Sequence, residues 1–147
     1  MATIKRFEDL VPIAIGRQLA RAFANDVFET YTTNVSFSKD FELKNQINAS
    51  SGSIMDNISE GFGRGGRNEF LNFLSIAKGS AEESKSQLYR ALDRKYITQD
   101  KFNALYNQAE ELCKKIGAFM NYLNAATYQG SKFKNRTPNS KPQTPNP

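Results

Sequence analysis

The chain holds 147 residues, 39% of them hydrophobic, enough for one domain with its own core. It has no histidine and one cysteine, which excludes histidine-bearing zinc sites, Ser-His-Asp and Cys-His chemistry, ferritin-like di-iron centres and an internal disulfide. The net charge is +5, of which the segment from Tyr128 to Pro147 supplies +4, so the remainder is nearly neutral and the charge belongs chiefly to the tail.

Met1 to Leu10 carries Lys5, Arg6, Glu8 and Asp9 with no apolar stretch behind them, so no signal peptide is expected. No apolar run approaches ~18 residues, so no membrane span is expected either, and the expected location is the cytoplasm. The first helix is expected at about residues 12–33. Pro12 suits a first turn, where its missing N–H is not needed. Leu19, Ala20, Phe23, Val27 and Tyr31 form its stripe, and Ile15, Ala22 and Phe28 widen it. A monomeric bundle needs one stripe, so the surplus predicts a homo-oligomer. Asn34 to Lys39 reads as a polar loop with Phe37 the exception. The second helix, residues 40–62, has Asp40 as cap or first-turn residue and Leu43, Ile47, Ile54, Ile58 and Phe62 on one side. Its run Ala49-Ser50-Ser51-Gly52-Ser53 lets a neighbour come close and predicts the tightest crossing. Gly63 to Arg67 reads as a turn. The third helix, residues 68–94, is expected to be capped by Asn68, and Gly79 in its middle predicts close packing. The fourth, residues 98–127, has Thr98 as N-cap, Asp100 in its first turn and the cleanest periodicity in the chain. Residues 128–147, with four prolines and no apolar group after Phe133, read as a disordered tail. Long amphipathic helices joined by short loops predict an all-α, antiparallel up-down-up-down four-helix bundle over residues 1–127.

Among polar residues, Asn57, Glu60, Glu83 and Gln87 lie near the apolar stripes. Glu83 and Gln87 stand one turn apart and can bond to each other. The four are expected to form a partly buried network that fixes helix register. The alternative is a functional carboxylate, but without histidine or nucleophile a lone Glu pair names no reaction. Gly63-Arg64-Gly65-Gly66-Arg67 lacks the Gly-Lys-Ser/Thr ending of a phosphate loop and follows a helix instead of a strand. It reads as a turn whose Arg64 and Arg67, with the amides of the next helix, can meet an RNA or DNA phosphate. Arg90, Arg94 and Lys95 form a second basic group, separated from the first by roughly 25 residues at about 1.5 Å each. Lys132, Lys134, Arg136 and Lys141 give the tail cations for polyanion contact. Lys114 and Lys115 follow Glu110 and Glu111 as expected solvated ion pairs. Tyr89, Tyr96, Tyr122 and Tyr128 are expected in packing more than in base stacking. Cys113 reads as a small buried hydrophobe.

The order Asn57-Ile58-Ser59-Glu60-Gly61-Phe62-Gly63-Arg64, then Glu69-Phe70, Phe73-Leu74, Ala77-Lys78-Gly79-Ser80, Glu83 and Gln87, resembles a family signature. It is that of the four-helix-bundle family typified by proteins encoded in intervening sequences of bacterial 23S rRNA genes. The resemblance covers roughly Ile4 to Thr127. It departs at Lys95, where the family usually has Gly before Tyr-Ile, so the turn is expected to differ in detail. It implies a four-helix bundle. Relatives in this structural class, including accessory variability proteins of diversity-generating retroelements, form homopentameric barrels, and in the retroelement systems they partner a reverse transcriptase and structured RNA. The expected function is therefore a non-enzymatic oligomeric bundle that binds nucleic acid, with structured RNA foremost, or serves such a reverse transcriptase as accessory subunit. No catalytic residue, metal or cofactor is expected. The alternative is a structural or protein-interaction module with no nucleic-acid role.

Overall fold

In the computed structural model, which describes the backbone of residues 7–134 and the side chains of residues 10–125, the secondary structure is helical throughout. Four long helices, α1 (Phe7–Thr33), α3 (Phe41–Gly63), α4 (Arg67–Asp93) and α5 (Gln99–Lys134), are joined by short turns and by a small helix, α2 (Val35–Lys39). The long helices close a ring in which α1 packs on α3 and α5, and α4 packs on the same two. Cross-helix partners give the directions. Tyr31 donates to Asn48 at 3.1 Å, while Gly16 at the other end of α1 lies beside Ile58. Ser80 donates to Ser53 at 2.9 Å and Arg90 to Gln46 at 2.8 Å. Lys85 meets Glu110, whereas Phe70 meets Phe119. In every pair one number rises as the other falls, so neighbours are antiparallel, as their short connections require.

The core follows the predicted stripes. Phe23, Phe37 and Phe70 are fully buried, as are Leu43, Ile47, Ile54, Leu88, Leu105 and Leu112. Burying each such side chain stabilises the fold by about 1.5–3 kcal/mol. Ile15, Ala22 and Phe28, which widen the α1 stripe, are exposed. Ile15 and Phe28 are 44% and 55% exposed.

Several boundaries differ from expectation for identifiable reasons. Pro12 lies inside α1 instead of in its first turn, since the helix starts at Phe7. It forgoes one main-chain bond, which a helix of 27 residues tolerates. The segment expected as a polar loop is helix α2. Asn34 caps it by accepting from the Phe37 amide at 2.9 Å, and Phe37 drives it inward to stack on Tyr96 at 5.3 Å. Asp40 then caps α3, accepting from the Leu43 amide at 3.1 Å. The cap of α4 is Gly66, not Asn68, which is an exposed first-turn residue. Thr98 caps α5 as expected, accepting from the Lys101 amide at 3.1 Å.

Helix α5 runs to Lys134, past the expected end near residue 127, so residues 128–134 are helical and not a disordered tail. No proline interrupts it before Pro138, and Gly130 alone costs a helix only about 1 kcal/mol. The rest of that tail lies outside the described residues. Gly79 does not mark close packing, because a Cβ there would meet nothing within 4 Å. Gly61 is the glycine that packs tightly instead, since a Cβ there would fall 2.6 Å from the Phe73 Cβ and 2.8 Å from the Phe70 Cδ1.

Candidate functional site

The α3–α4 turn is built by three glycines and two arginines. Arg64 ends α3, its amide bonding back to the Glu60 carbonyl at 3.2 Å. Gly65 then reverses the chain at φ +80°, a conformation that glycine adopts without strain. Gly66 is extended and caps α4 with no side-chain hydrogen bond. The arginines have different fates. Arg64 is half-exposed, pairs with Glu60 at 3.0 Å and lies over the Phe73 ring at 5.4 Å. Arg67 is only 9% exposed, and its Nε is shut off from solvent with no hydrogen-bond partner. The expected pair of accessible turn cations is therefore one ion-paired arginine and one largely buried arginine whose Nε has no partner. With Gly66 as cap, Arg67 becomes the first residue of α4, one turn before the buried Phe70. A sequence reading that placed the cap at Asn68 left Arg67 in the turn.

The second basic group lies at the opposite pole and is largely satisfied within the chain. Arg94 pairs with Asp40 at 2.8 Å, and Arg90 donates to Gln46 at 2.8 Å. Lys95 is exposed in the left-handed region at φ 61°. The Tyr96 hydroxyl donates to Asp40 at 2.8 Å. That bond, then the Leu43 amide, holds the Asp40 carboxyl below its ordinary range.

The expected polar network is redrawn. Gln87 is buried and accepts from Ser50 at 2.5 Å, and Ser50 and Ser84 share a hydrogen bond at 2.8 Å. Asn57 donates to Ser53, which receives Ser80 from α4. Glu83 is exposed and makes no bond to Gln87, and Glu60 is spent on Arg64. The buried groups that tie α3 to α4 are thus serine hydroxyls and the Gln87 amide, with the Arg90–Gln46 bond beyond them. The serine run at residues 50–53 was the available signal for them.

A third cluster went unforeseen. Lys85, 12% exposed at its side chain, bridges Glu110 at 2.6 Å and Glu82 at 3.0 Å. Burial alone would lower its pKa, but the two carboxylates outweigh it and raise it. Glu110 is therefore not the partner of Lys114, while Lys115 reaches Glu111 only loosely at 3.9 Å. Burial beside these groups pushes the Cys113 thiol up to about 12, so it stays protonated.

Beside the α3–α4 pole, α1 and α5 flank an apolar cavity of about 350 Å³ lined by Val11, Ile15, Ile58, Phe70, Ile116 and Tyr122. Lys115 is its one charged lining residue. Tyr89 packs on Phe102, Tyr96 on Phe37, and Tyr122 stacks on Phe119, so these rings serve packing. Lys132 and Lys134 lie in the last turn of α5, whereas Arg136 and Lys141 lie outside the described residues. Because Phe119 is level with Phe70, α5 runs about twelve residues, roughly 18 Å, past the start of α4. Arg64, Arg67, Lys132 and Lys134 therefore stand at one end of the bundle. Among the described residues no helix is long and apolar enough to cross a membrane, and no group of three or more Cys, Asp or Glu is placed to hold a metal ion.

Residues 15–118 match the family described as 23S rRNA-intervening sequence protein. A crystal structure of a protein of unknown function from the S23 ribosomal protein family of Bacteroides thetaiotaomicron VPI-5482 has the same fold. It is 26% identical with a TM-score of 0.70, over 75% of this chain and 98% of that one. No curated protein matches the chain.

Proposed function

The chain belongs to the family of 23S rRNA-intervening sequence proteins, and from that premise we propose that it acts by binding, not catalysis: it is a self-associating bundle that engages structured RNA at the α3–α4 pole. In this reading it serves as accessory subunit to a nucleic-acid enzyme such as a reverse transcriptase. The supporting observation is that the turn bearing Arg64 and Arg67 and the last turn of α5, which carries Lys132 and Lys134, stand at the same end of the bundle. The family description, which names a 23S rRNA intervening sequence, is what brings RNA into this reading. Self-association draws support from Ile15 and Phe28, large apolar residues that α1 leaves exposed. In a five-fold ring, five copies of the basic pole would face one side, and such a ring focuses field onto a polyanion.

The test is a fluorescence-anisotropy titration of a structured RNA across potassium chloride concentrations. Each phosphate contact contributes about 0.7–0.9 to the slope of log affinity against log salt. Changing Arg64, Lys132 and Lys134 together to Glu is expected to weaken binding about tenfold or more and to flatten that slope, with helicity unchanged. Equal affinity and slope in wild type and variant would remove the pole from the account. No binding by wild type would favour the protein-interaction module that the exposed α1 face also suits.

A further inference from the structure

The cavity between α1 and α5 holds about 350 Å³. Protein interiors are packed as densely as organic crystals, and voids larger than a water molecule are few. An engineered apolar cavity of ~150 Å³ takes up benzene, so a volume of this size is ample for a small ligand. Its floor is core, with Ile13, Ile58, Phe70, Leu74, Leu112 and Ile116 all buried. Its mouth is formed by Val11, Ile15 and Tyr122, each at least 40% exposed. Gly16 on α1 and Ala118 on α5 line it with almost no side chain, which leaves the volume open. A Cβ at Gly16 would meet only the Ile58 Cδ1, at 3.8 Å.

Water is a poor occupant. Among the described lining residues only Lys115 and Tyr122 carry a side-chain polar atom, whereas an ordered water needs about two to four polar partners. Lys115 suits a different guest. Its ammonium has three donors, and Glu111, one turn earlier, stands 3.9 Å away, beyond hydrogen-bond length. Donors therefore remain for a second anion at the wall of an apolar chamber.

We propose that this cavity binds a single-chain carboxylic acid of medium length, its tail on the buried floor and its carboxylate at Lys115. At about 30 Å³ for a water-sized group, the volume admits roughly a dozen such groups. That is one acyl chain, not the two of a bilayer lipid. Burying the tail frees water from the apolar lining, and the ammonium selects an anionic head over a neutral or cationic one. The site goes beyond the RNA reading and does not rest on it, since neither Arg64 nor Arg67 lines the cavity.

The test is isothermal titration calorimetry of the full chain with decanoate below its micelle concentration, beside decanol and decyltrimethylammonium. Wild type is expected to take up one decanoate per chain and to bind decanol about two- to fivefold more weakly, as a half-exposed ion pair allows. Lys115→Met is expected to lose that preference and to keep the decanol affinity. Gly16→Leu, which projects a side chain into the cavity, is expected to weaken both ligands at least about tenfold with helicity unchanged. Should Gly16→Leu fail to fold, Ala118→Leu closes the cavity from α5 instead. Equal decanoate affinity in wild type and the filled variant, or several molecules per chain, overturns the site. Equal affinity for decanoate and decyltrimethylammonium overturns the carboxylate head. Wild type that takes up no decanoate overturns the proposal and leaves a second copy of the chain as the cover of the mouth.

Discussion

At the scale of single residues, Gly61 carries a tightly constrained contact between α3 and α4. With a Cβ placed 2.6 Å from that of Phe73 and 2.8 Å from the Phe70 ring, one helix must move to admit even a methyl group. Gly61→Ala is expected to lower stability by about 1–3 kcal/mol, read by urea denaturation. Gly79→Ala, on an open face, is expected to raise it by up to about 1 kcal/mol through helix propensity. The two glycines look alike in sequence. Which one meets a neighbour depends on the rotation of each helix about its axis, which apolar periodicity fixes only to within a residue or so. Glu83 and Gln87 illustrate the same limit. They are one turn apart on the margin of the α4 stripe, and only Gln87 reaches Ser50. The burial of Arg67 was illegible because it hangs on a cap two residues earlier than Asn68.

At the scale of elements, the four long helices and most caps were legible, since Asp40 and Thr98 sit where apolar periodicity begins. Helix α2 was not, because five residues hold too little periodicity, and only Phe37 hinted at it. The α4–α5 turn does not differ from a glycine turn in its bonding. The Lys95 amide bonds to the Leu92 carbonyl and the Tyr96 amide to the Ala91 carbonyl, both at 2.9 Å, with Lys95 at φ 61°. A side chain there is strained by roughly 1–2 kcal/mol. Lys95→Gly is therefore expected to raise the melting temperature, and a fall would show that the lysine side chain makes a compensating contact.

The Asp40 cap adds a pH dependence. Its folded pKa is lowered, chiefly by the Tyr96 hydroxyl, so its contribution is present above the unfolded carboxylate value, about 3.9, and is lost as pH falls through the lower folded value. Tyr96→Phe raises that folded value toward the unfolded one. The variant is expected to lose stability at neutral pH and to show a smaller difference from wild type in strong acid, where the group is protonated in both. A constant difference across the acid range would remove Asp40 from the pH response.

At the scale of the molecule, the up-down-up-down ring was legible because short loops leave antiparallel neighbours as the economical arrangement. The polarity of its charge was not. It depends on α5 continuing to Lys134, which carries Lys132 and Lys134 to the pole where α4 begins. The exposed Ile15 and Phe28 on α1 bear on assembly. Light scattering is expected to find a particle near five times the 16.5 kDa chain mass, and Ile15→Lys with Phe28→Lys is expected to reduce it. A 16.5 kDa particle for wild type at micromolar concentration would end the oligomer proposal. The central claim, that RNA is held at the α3–α4 pole, is tested most directly by ultraviolet crosslinking of bound structured RNA followed by peptide mass spectrometry. The account predicts crosslinks in the peptides spanning Gly61 to Phe70 and in the last turns of α5. Crosslinks confined to the Arg90–Tyr96 pole, or spread evenly along the helices, would contradict it.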